Sequence, residues 1–222
     1  MKLSATQLAA MLELQNAMNA KVNPNWIAAN NNWYRAIQVE AVEAIEHHGW
    51  KWWKKQDCDW PQLRMELVDI WHFALSAAIQ HCKGDQAKAA TEMLTELQRA
   101  ETTLTFDARE YALAQMTLLQ RLDLLVGLAA AERTSLALFG MLLADCGMRW
   151  TDLFRQYLGK NVLNMFRQDH GYKTGTYLKI WHGREDNEHL VEVLEIVDVE
   201  APDVRDRLYD ALKLRYRQLL PD

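Results

Sequence analysis

The chain has 222 residues, enough to bury a large single core without disulfides or a structural metal. With only nine Gly and four Pro, turn-forming residues are scarce, which excludes sandwich, barrel and collagen-like folds, and the 50% hydrophobic content excludes disorder. The formal net charge of −5 argues against a general nucleic-acid binder, and the charges that interrupt every long apolar stretch argue against a membrane span.

Apolar residues at helical spacing predict four helices in the first half of the chain. Ser4 or Thr6 is positioned to cap the first, and Gly49 follows the second. Asp59 followed by Pro61 opens the third, because an Asp cap and a proline in the first turn both favour a helix start. The predicted helices cover residues 2–20, about 31–48 and about 59–82, and a fourth begins at Asp85.

The middle of the chain is the longest stretch without turn-forming residues. Neither Gly nor Pro lies between Gly84 and Gly127, and the apolar pattern continues to Leu158. This pattern predicts a long antiparallel helix pair over about residues 107–134 and 136–158.

The composition changes at residues 159–188. This segment holds four of the nine glycines among basic, amide and aromatic side chains, and Gly171, Gly175 and Gly183 predict a loop. Residues from about 187 to 218 return to an amphipathic helical pattern. The predicted fold is therefore one all-α domain over residues 1–222, a helical bundle with a glycine-punctuated basic loop near its C-terminus.

The third predicted helix contains an unexpected pair of acids. Glu66 and Asp69 lie within the sequence ELVDIWHFALSAA, which is apolar on nearly every side and is therefore expected to be buried. Burying an ionised carboxylate costs several kcal/mol unless a cation or strong donors compensate it. Because residues spaced i,i+3 share one helix face, the two acids can bind the same cation.

The second predicted helix repeats this spacing with Glu40 and Glu43 in the sequence VEAVEAIE. If the two helices pack antiparallel, all four carboxylates meet in one cluster between them. Such a cluster repels itself in a low-dielectric interior, so it requires a hard cation with oxygen ligands. The residues thus predict a catalytic metal site for Mg²⁺ first and Mn²⁺ second.

Four stretches of the chain carry a resemblance to a known family. The sequence resembles the dimeric dUTPases of the all-α nucleoside triphosphate pyrophosphatase superfamily, and the last stretch is by far the most specific. The four, in the family's order, are LELQNAMN (12–19), EAVEAIEHHGWKWWKK (40–55), ELVDIWHFALS (66–76) and GKNVLNMFRQDHGYKTGTYLKIWHGREDN (159–187). Residues 85–158 carry no motif that matches.

The resemblance implies an activity and a mechanism. The family hydrolyses dUTP to dUMP and pyrophosphate, and dUDP to dUMP and phosphate, at the bond between the α and β phosphates. The implied cofactor is two or three Mg²⁺ ions, for which Mn²⁺ substitutes, with water as the attacking nucleophile and a homodimer as the assembly. The implied catalytic residues and metal ligands are Glu40, Glu43, Glu66 and Asp69, with Glu43 expected to orient or deprotonate the water.

The resemblance also implies which residues bind the substrate. No Walker A loop exists in the chain, so phosphate binding is expected from metals and from the segment 159–187. The base is expected to contact Gln15 and Asn19, whose i,i+4 spacing places both amides on one helix face, and Trp53. The expected phosphate contacts are Lys160, Asn161, Asn164, Arg167, Tyr172, Lys173, Lys179, Arg184 and Asn187.

Three alternatives remain open at the level of sequence. A pyrophosphatase for another pyrimidine nucleotide such as dCTP is one alternative, because rotatable amides such as Gln15 and Asn19 can satisfy cytosine or uracil. A di-iron helical bundle is suggested by Asp69 with His72 and by Glu43 with His47, although the motif that such bundles share is absent near the cluster. A catalytically silent helical interaction domain explains the bundle but not the buried acids.

The cysteines and the amino terminus bear on the cellular compartment. Cys58, Cys82 and Cys146 are scattered and suit a reducing compartment, and MKLSATQLAA lacks the continuous apolar region of a secretory signal. A cytoplasmic location is therefore expected, with no membrane and no nucleic acid as partner.

Overall fold

A computed structural model describes residues 3–198, 201 and 203–218 of the chain. In this described part, 69% of the residues are helical, and ten helices accompany two very small antiparallel sheets. The fold is therefore all-α, as predicted. The helices are α1 (Ala5–Val22), α2 (Trp26–Ala29), α3 (Trp33–His48), α4 (Trp60–His81), α5 (Gln86–Arg99), α6 (Leu118–Ala130), α7 (Leu136–Asp145), α8 (Trp150–Asp169), α9 (Asp186–Ile196) and α10 (Val204–Arg217). The strands are β1 (Thr103–Phe106), β2 (Arg109–Ala112), β3 (Ile180–Trp181) and β4 (Arg184–Glu185), with short 3₁₀ turns at Leu113–Gln115 and Tyr172–Thr174.

The predicted helices of the first half are confirmed, and their starts are set by capping side chains. Ser4 accepts a hydrogen bond from the backbone N–H of Gln7 at 3.1 Å, which selects Ser4 over Thr6 as the cap of α1. Asp59 and Asp85 cap α4 and α5 in the same way. The short helix α2 between α1 and α3 has no counterpart among the predicted helices.

Helices α3 and α4 pack against each other in antiparallel orientation. Trp33 at the start of α3 donates to Gln80 near the end of α4 at 2.9 Å. At the other end of the pair, the backbone N–H of Asp59 donates to the carbonyl of His47 at 2.8 Å. Around this pair the core is formed by fully buried large side chains that include Trp71, Tyr157 and Phe166. The antiparallel packing brings the two acid-bearing helix faces together.

The predicted helix over residues 107–134 is wrong in its first third. A β-hairpin occupies this region, with Phe106 paired to Arg109 across a two-residue turn, and α6 begins only at Leu118. Asp107 and Ala108 both have positive φ, 50° and 56°, which matches a hairpin turn in which both central residues are left-handed. Ala rarely adopts this conformation, and neither turn residue is Gly, Asn or Pro. The sequence therefore gives no strong signal for a turn here.

The predicted helix over residues 136–158 is also wrong, because the chain breaks and restarts within it. Helix α7 ends at Asp145, Gly147 turns with φ 67°, and α8 begins at Trp150. Helix α8 then continues to Asp169, so the first part of the predicted basic loop is helical and buried. The glycine-punctuated loop starts at Gly171, where positive φ values recur at Gly175 and Gly183. The predicted last helix is two helices, α9 and α10.

None of the described helices is long and apolar enough to cross a membrane. Cys58, Cys82 and Cys146 are free thiols in the structure.

Candidate active site

The acid cluster lies between α3 and α4. Oxygen atoms of Glu40, Glu43 and Glu66 all lie within 4.8 Å of one another, a spacing that suits shared binding of a cation. Glu66 is buried, Glu40 is half-buried and Glu43 is exposed. Asp69 lies close enough to raise the pKa of both Glu40 and Glu66. The structure thus brings together the four predicted acids.

The protonation of this cluster reflects its burial. Desolvation, followed by the negative charge of Asp69 and a hydrogen bond with Glu66, raises the pKa of Glu40 to about 8. Desolvation likewise raises the pKa of Glu66 to about 7, although its hydrogen bond with Glu40 and the charge of Lys160 act in the opposite direction. The cluster therefore holds protons near neutral pH when no other cation is present.

We expect this proton binding to make the stability of the metal-free protein depend on pH. The two raised pKa values mean that the folded state binds more protons than the unfolded state, so their contribution is fully present below about pH 4.5, where the unfolded acids titrate, and is lost as the pH rises through 7 to 8. Melting temperatures measured in EDTA from pH 5 to 9 should therefore fall more steeply for the wild type than for Glu40→Gln.

Parallel pH profiles of these two proteins would contradict the raised pKa values. Added Mg²⁺ should flatten the wild-type profile, because bound metal replaces the protons.

Histidine 47 also contacts the cluster. Its Nε2 atom lies 3.4 Å from Oε1 of Glu66, so the last turn of α3 adds a half-buried imidazole at the edge of the acids. The spacing i,i+4 from Glu43 was visible in the sequence, where it suggested the di-iron alternative. Glu46, by contrast, is exposed and accepts hydrogen bonds from Trp50 and Lys51.

Gln15 and Asn19 are buried together in a polar network. The Gln15 amide donates to Asn19 at 3.0 Å and to the hydroxyl of Ser76 at 3.0 Å, and Asn19 donates to the same hydroxyl at 2.9 Å. The Gln15 carbonyl oxygen faces Nδ1 of His72 at 2.7 Å and the hydroxyl of Tyr157 at 3.1 Å. Gln15 has therefore used its hydrogen-bonding capacity, whereas Asn19 keeps one N–H free.

The sequence did not identify His72 as part of this network. Burial lowers the pKa of His72 to about 3, so the ring is neutral, and it stacks on Tyr157 with 4.2 Å between ring centroids. The contact with the Gln15 oxygen places the proton on Nδ1, and Nε2 is left as a buried acceptor with no protein partner. Asp69, His72 and Ser76 follow one face of α4 at i, i+3 and i+7, a signal that was present in the sequence.

Lys160, Asn161, Asn164 and Arg167 lie on α8 rather than on a loop. Asn161 donates to the carbonyl of Leu14 at 3.4 Å, and Lys160 reaches Asp69 at 2.8 Å. Together with Tyr157, the first three follow one helix face at i, i+3, i+4 and i+7, so α8 faces both the base network and the acid cluster.

Arg167 is held by a buried carboxylate. Nε and Nη2 of its guanidinium donate to the two oxygens of Asp186 at 2.8 and 2.7 Å, and Asp186 is 0% exposed. Tyr177 donates to the same carboxylate at 2.8 Å, while Arg167 also donates to Asn164 and Asn187, each at 3.2 Å. Little of the Arg167 guanidinium is left for a phosphate, so its role as a phosphate ligand stays a prediction.

The remaining predicted phosphate contacts lie in the loop and are engaged elsewhere. Lys173 donates to the backbone carbonyl of Val22 at 2.8 Å, at the C-terminus of α1. Lys179 pairs with Glu185 at 3.0 Å, and Arg184 pairs with Glu192 at 2.5 Å. Tyr172 is exposed and lies 5.8 Å from the guanidinium of Arg167. Their roles stay predictions.

Trp53 lies in an exposed tryptophan cluster. Its ring is 60% exposed and meets Trp50 and Trp52 edge-on, with centroids 5.3 and 4.6 Å away. The ring is thus available to a ligand, and its contact with the base stays a prediction.

The chain is similar to one known protein family. A family model described as dUTPase matches residues 7–172, more than half of the chain, and this range contains the acid cluster, the base network and all of α8. No curated protein sequence matches the chain.

Proposed function

The chain belongs to the dimeric all-α dUTPase family and is a dUTP diphosphatase, and we propose that its activity requires Mg²⁺ and extends to dUDP. The observation that carries this proposal is the convergence of three carboxylates within 4.8 Å between α3 and α4. We also propose that the protein is a homodimer and is located in the cytoplasm. Light scattering of the purified protein tests the dimer.

The residues present fit a hard divalent cation. All four acids offer oxygen ligands, and burial, followed by the negative charge of neighbouring acids, raises the pKa of Glu40 and Glu66, so a bound cation would stabilise their ionised forms. We assign Glu40, Glu43, Glu66 and Asp69 as the residues that hold two or three Mg²⁺ ions, for which Mn²⁺ substitutes. When bound, the ions activate the attacking water and neutralise charge on the departing phosphate.

The protein side chains supply the positioning. Glu43 is the exposed member of the three converging acids, so its carboxylate can orient the attacking water and accept its proton at a carboxylate oxygen. Lys160 on α8 and Asn187 at the start of α9 are candidates for the phosphate oxygens, because Lys160 contacts both Asp69 of the acid cluster and Asn187. Asn161 is the next residue on α8. The di-iron alternative gains no support, since the three residues that converge are all carboxylates, whereas His72 lies in the base network, stacked on Tyr157.

The base network supports uracil over cytosine. The free N–H of Asn19 is a donor, and Nε2 of His72 is an acceptor whose tautomer is set by Gln15. A uracil edge presents a carbonyl acceptor beside the N3–H donor, which matches this pair. A cytosine edge presents an acceptor at N3, which would face the lone pair of Nε2.

We therefore expect His72→Gln to reduce the preference for dUTP over dCTP by about tenfold or more, because a rotatable amide can accept from uracil or donate to cytosine. Asn19→Ala should lower kcat/KM for dUTP, by a factor that corresponds to a loss of about 1 to 3 kcal/mol in transition-state binding. Steady-state kinetics with both nucleotides provide the measurement.

The matched control is His81→Gln, the same substitution at an exposed position of α4. If His72→Gln kept the wild-type ratio of kcat/KM values, the base would have to bind elsewhere.

The proposal as a whole is tested by offering the purified protein dUTP, dUDP, dCTP and dTTP with Mg²⁺, and separating the products by chromatography. A dUDP molecule keeps the scissile bond and the two phosphates next to it, so we expect dUMP and phosphate from dUDP and dUMP and pyrophosphate from dUTP. Cleavage of dUTP with complete inertness toward dUDP would mean that the γ-phosphate is an essential handle. Full activity in excess EDTA would remove the metal from the proposal.

A further inference from the structure

Lys160 is a buried cation between the acid cluster and the start of α9. Its side chain is 3% exposed, and its ammonium lies 2.8 Å from Oδ2 of Asp69 and 2.9 Å from Oδ1 of Asn187. A buried ammonium must be paired, because removal from water costs several kcal/mol without a partner. Lys160 is therefore fixed by its two contacts.

The contact with Asp69 sets this acid apart from the other three. Asp69 is the one acid outside the group whose oxygens converge within 4.8 Å, and its carboxylate is already neutralised by Lys160. A divalent ion that binds Oδ2 of Asp69 therefore displaces the ammonium.

The second contact leads toward the predicted phosphate segment. The oxygen of Asn187 that accepts from Lys160 also accepts from Arg167, which is anchored on the buried Asp186. An ammonium displaced from Asp69 still has the Asn187 oxygen as a partner. Asn187 belongs to the segment 159–187, which carries the other predicted phosphate contacts.

We propose that Lys160 is a positioning residue that holds Asp69 in the metal-free protein and turns to a nucleotide phosphate oxygen when a divalent ion takes Asp69. Metal binding and nucleotide binding then strengthen each other, because the metal frees Lys160 from Asp69 and the nucleotide frees Asp69 from Lys160. The nucleotide half of this inference rests on the proposed function, and the half that concerns Asp69 does not.

The test uses Lys160→Met, which keeps the length of the side chain and removes its charge. Without nucleotide, titration calorimetry should show Mg²⁺ binding to the variant about tenfold more tightly than to the wild type, because Asp69 is no longer paired. With the non-hydrolysable α,β-imido analogue of dUDP present, Mg²⁺ affinity should rise in the wild type and rise by a much smaller factor in the variant. Lys88→Met, an exposed lysine paired with Glu92 on α5, is the matched control and should behave as wild type.

Unchanged or weaker Mg²⁺ binding by Lys160→Met would overturn the inference, as would an undiminished effect of the analogue. If the Met variant fails to fold, Lys160→Gln, whose amide can still donate to Asp69 and Asn187, provides the same comparison. The results distinguish this inference from the proposed function. Failure of the wild type to bind the analogue would refute the proposed function. The Mg²⁺ titration without nucleotide would still decide whether Lys160 holds Asp69.

Discussion

Glu66→Gln is expected to abolish dUTP hydrolysis, by about a thousandfold or more in kcat, while the protein stays folded. Glu66 is the most buried of the converging acids, and glutamine keeps its size while losing the anionic oxygens that bind a metal. Because the pKa of Glu66 is raised to about 7, the amide resembles the protonated form that the metal-free protein already populates. The melting temperature in EDTA should therefore equal or exceed that of the wild type, and Mg²⁺ should raise it less.

Glu46→Gln is the matched control for this prediction. Glu46 lies on the same helix as two of the acids but is exposed and paired with Lys51, so its replacement should leave kcat within about twofold of the wild type. Substantial activity of Glu66→Gln with Mg²⁺ would show that the cluster is not the catalytic metal site.

Asp186→Asn is expected to destabilise the protein by about 3 to 5 kcal/mol, because it leaves the buried Arg167 guanidinium without its anionic partner. The same change should raise KM for dUTP, since Asn187 follows directly in the chain and orders Lys160 and Arg167. Urea denaturation and steady-state kinetics measure the two effects. Replacing both partners, as in Arg167→Met with Asp186→Leu, should destabilise the fold less than Asp186→Asn alone.

Asp169→Asn provides the comparison for this prediction. Asp169 pairs with Lys21 at the partly exposed end of α8, and its loss should change the unfolding free energy by less than about 1 kcal/mol. If Asp186→Asn had an equally small effect, the buried pair would contribute little to stability.

The sequence predicts those features of the site that depend only on the spacing of residues along one helix. The i,i+3 acids in an apolar helix required a shared partner, and Glu40 and Glu66 do converge. Likewise, Gln15 and Asn19 at i,i+4 share one buried network. In each case helix geometry alone determines which side chains lie on the same face.

Other features depend on contacts that no local pattern carries. The hairpin turn uses Ala108 in a left-handed conformation that alanine seldom adopts, so a helix was predicted there. The second half of α8, residues 159–169, belongs to the segment in which the sequence predicts a loop, because basic, amide and aromatic side chains are mixed there with glycines. The basic residues in this half of the helix are Lys160 and Arg167. They are buried because Asp69, Asp186 and Asn187, distant in the chain, supply their partners. The i,i+3 spacing of His72 from Asp69 suggests a metal ligand, but the ring contacts Gln15, a partner distant in the chain.

One continuous helix, α8, carries Tyr157 of the base network, Lys160 beside the acids and Arg167 beside Asp186. Their spacing along the axis is set at 1.5 Å per residue, so about 15 Å separates the first from the last. An insertion of one residue between them would turn everything beyond it by about 100° and break the alignment. We therefore expect an insertion between Tyr157 and Arg167 to disrupt the site, whereas an insertion in the turn that joins β1 and β2 would leave the spacing along α8 unchanged.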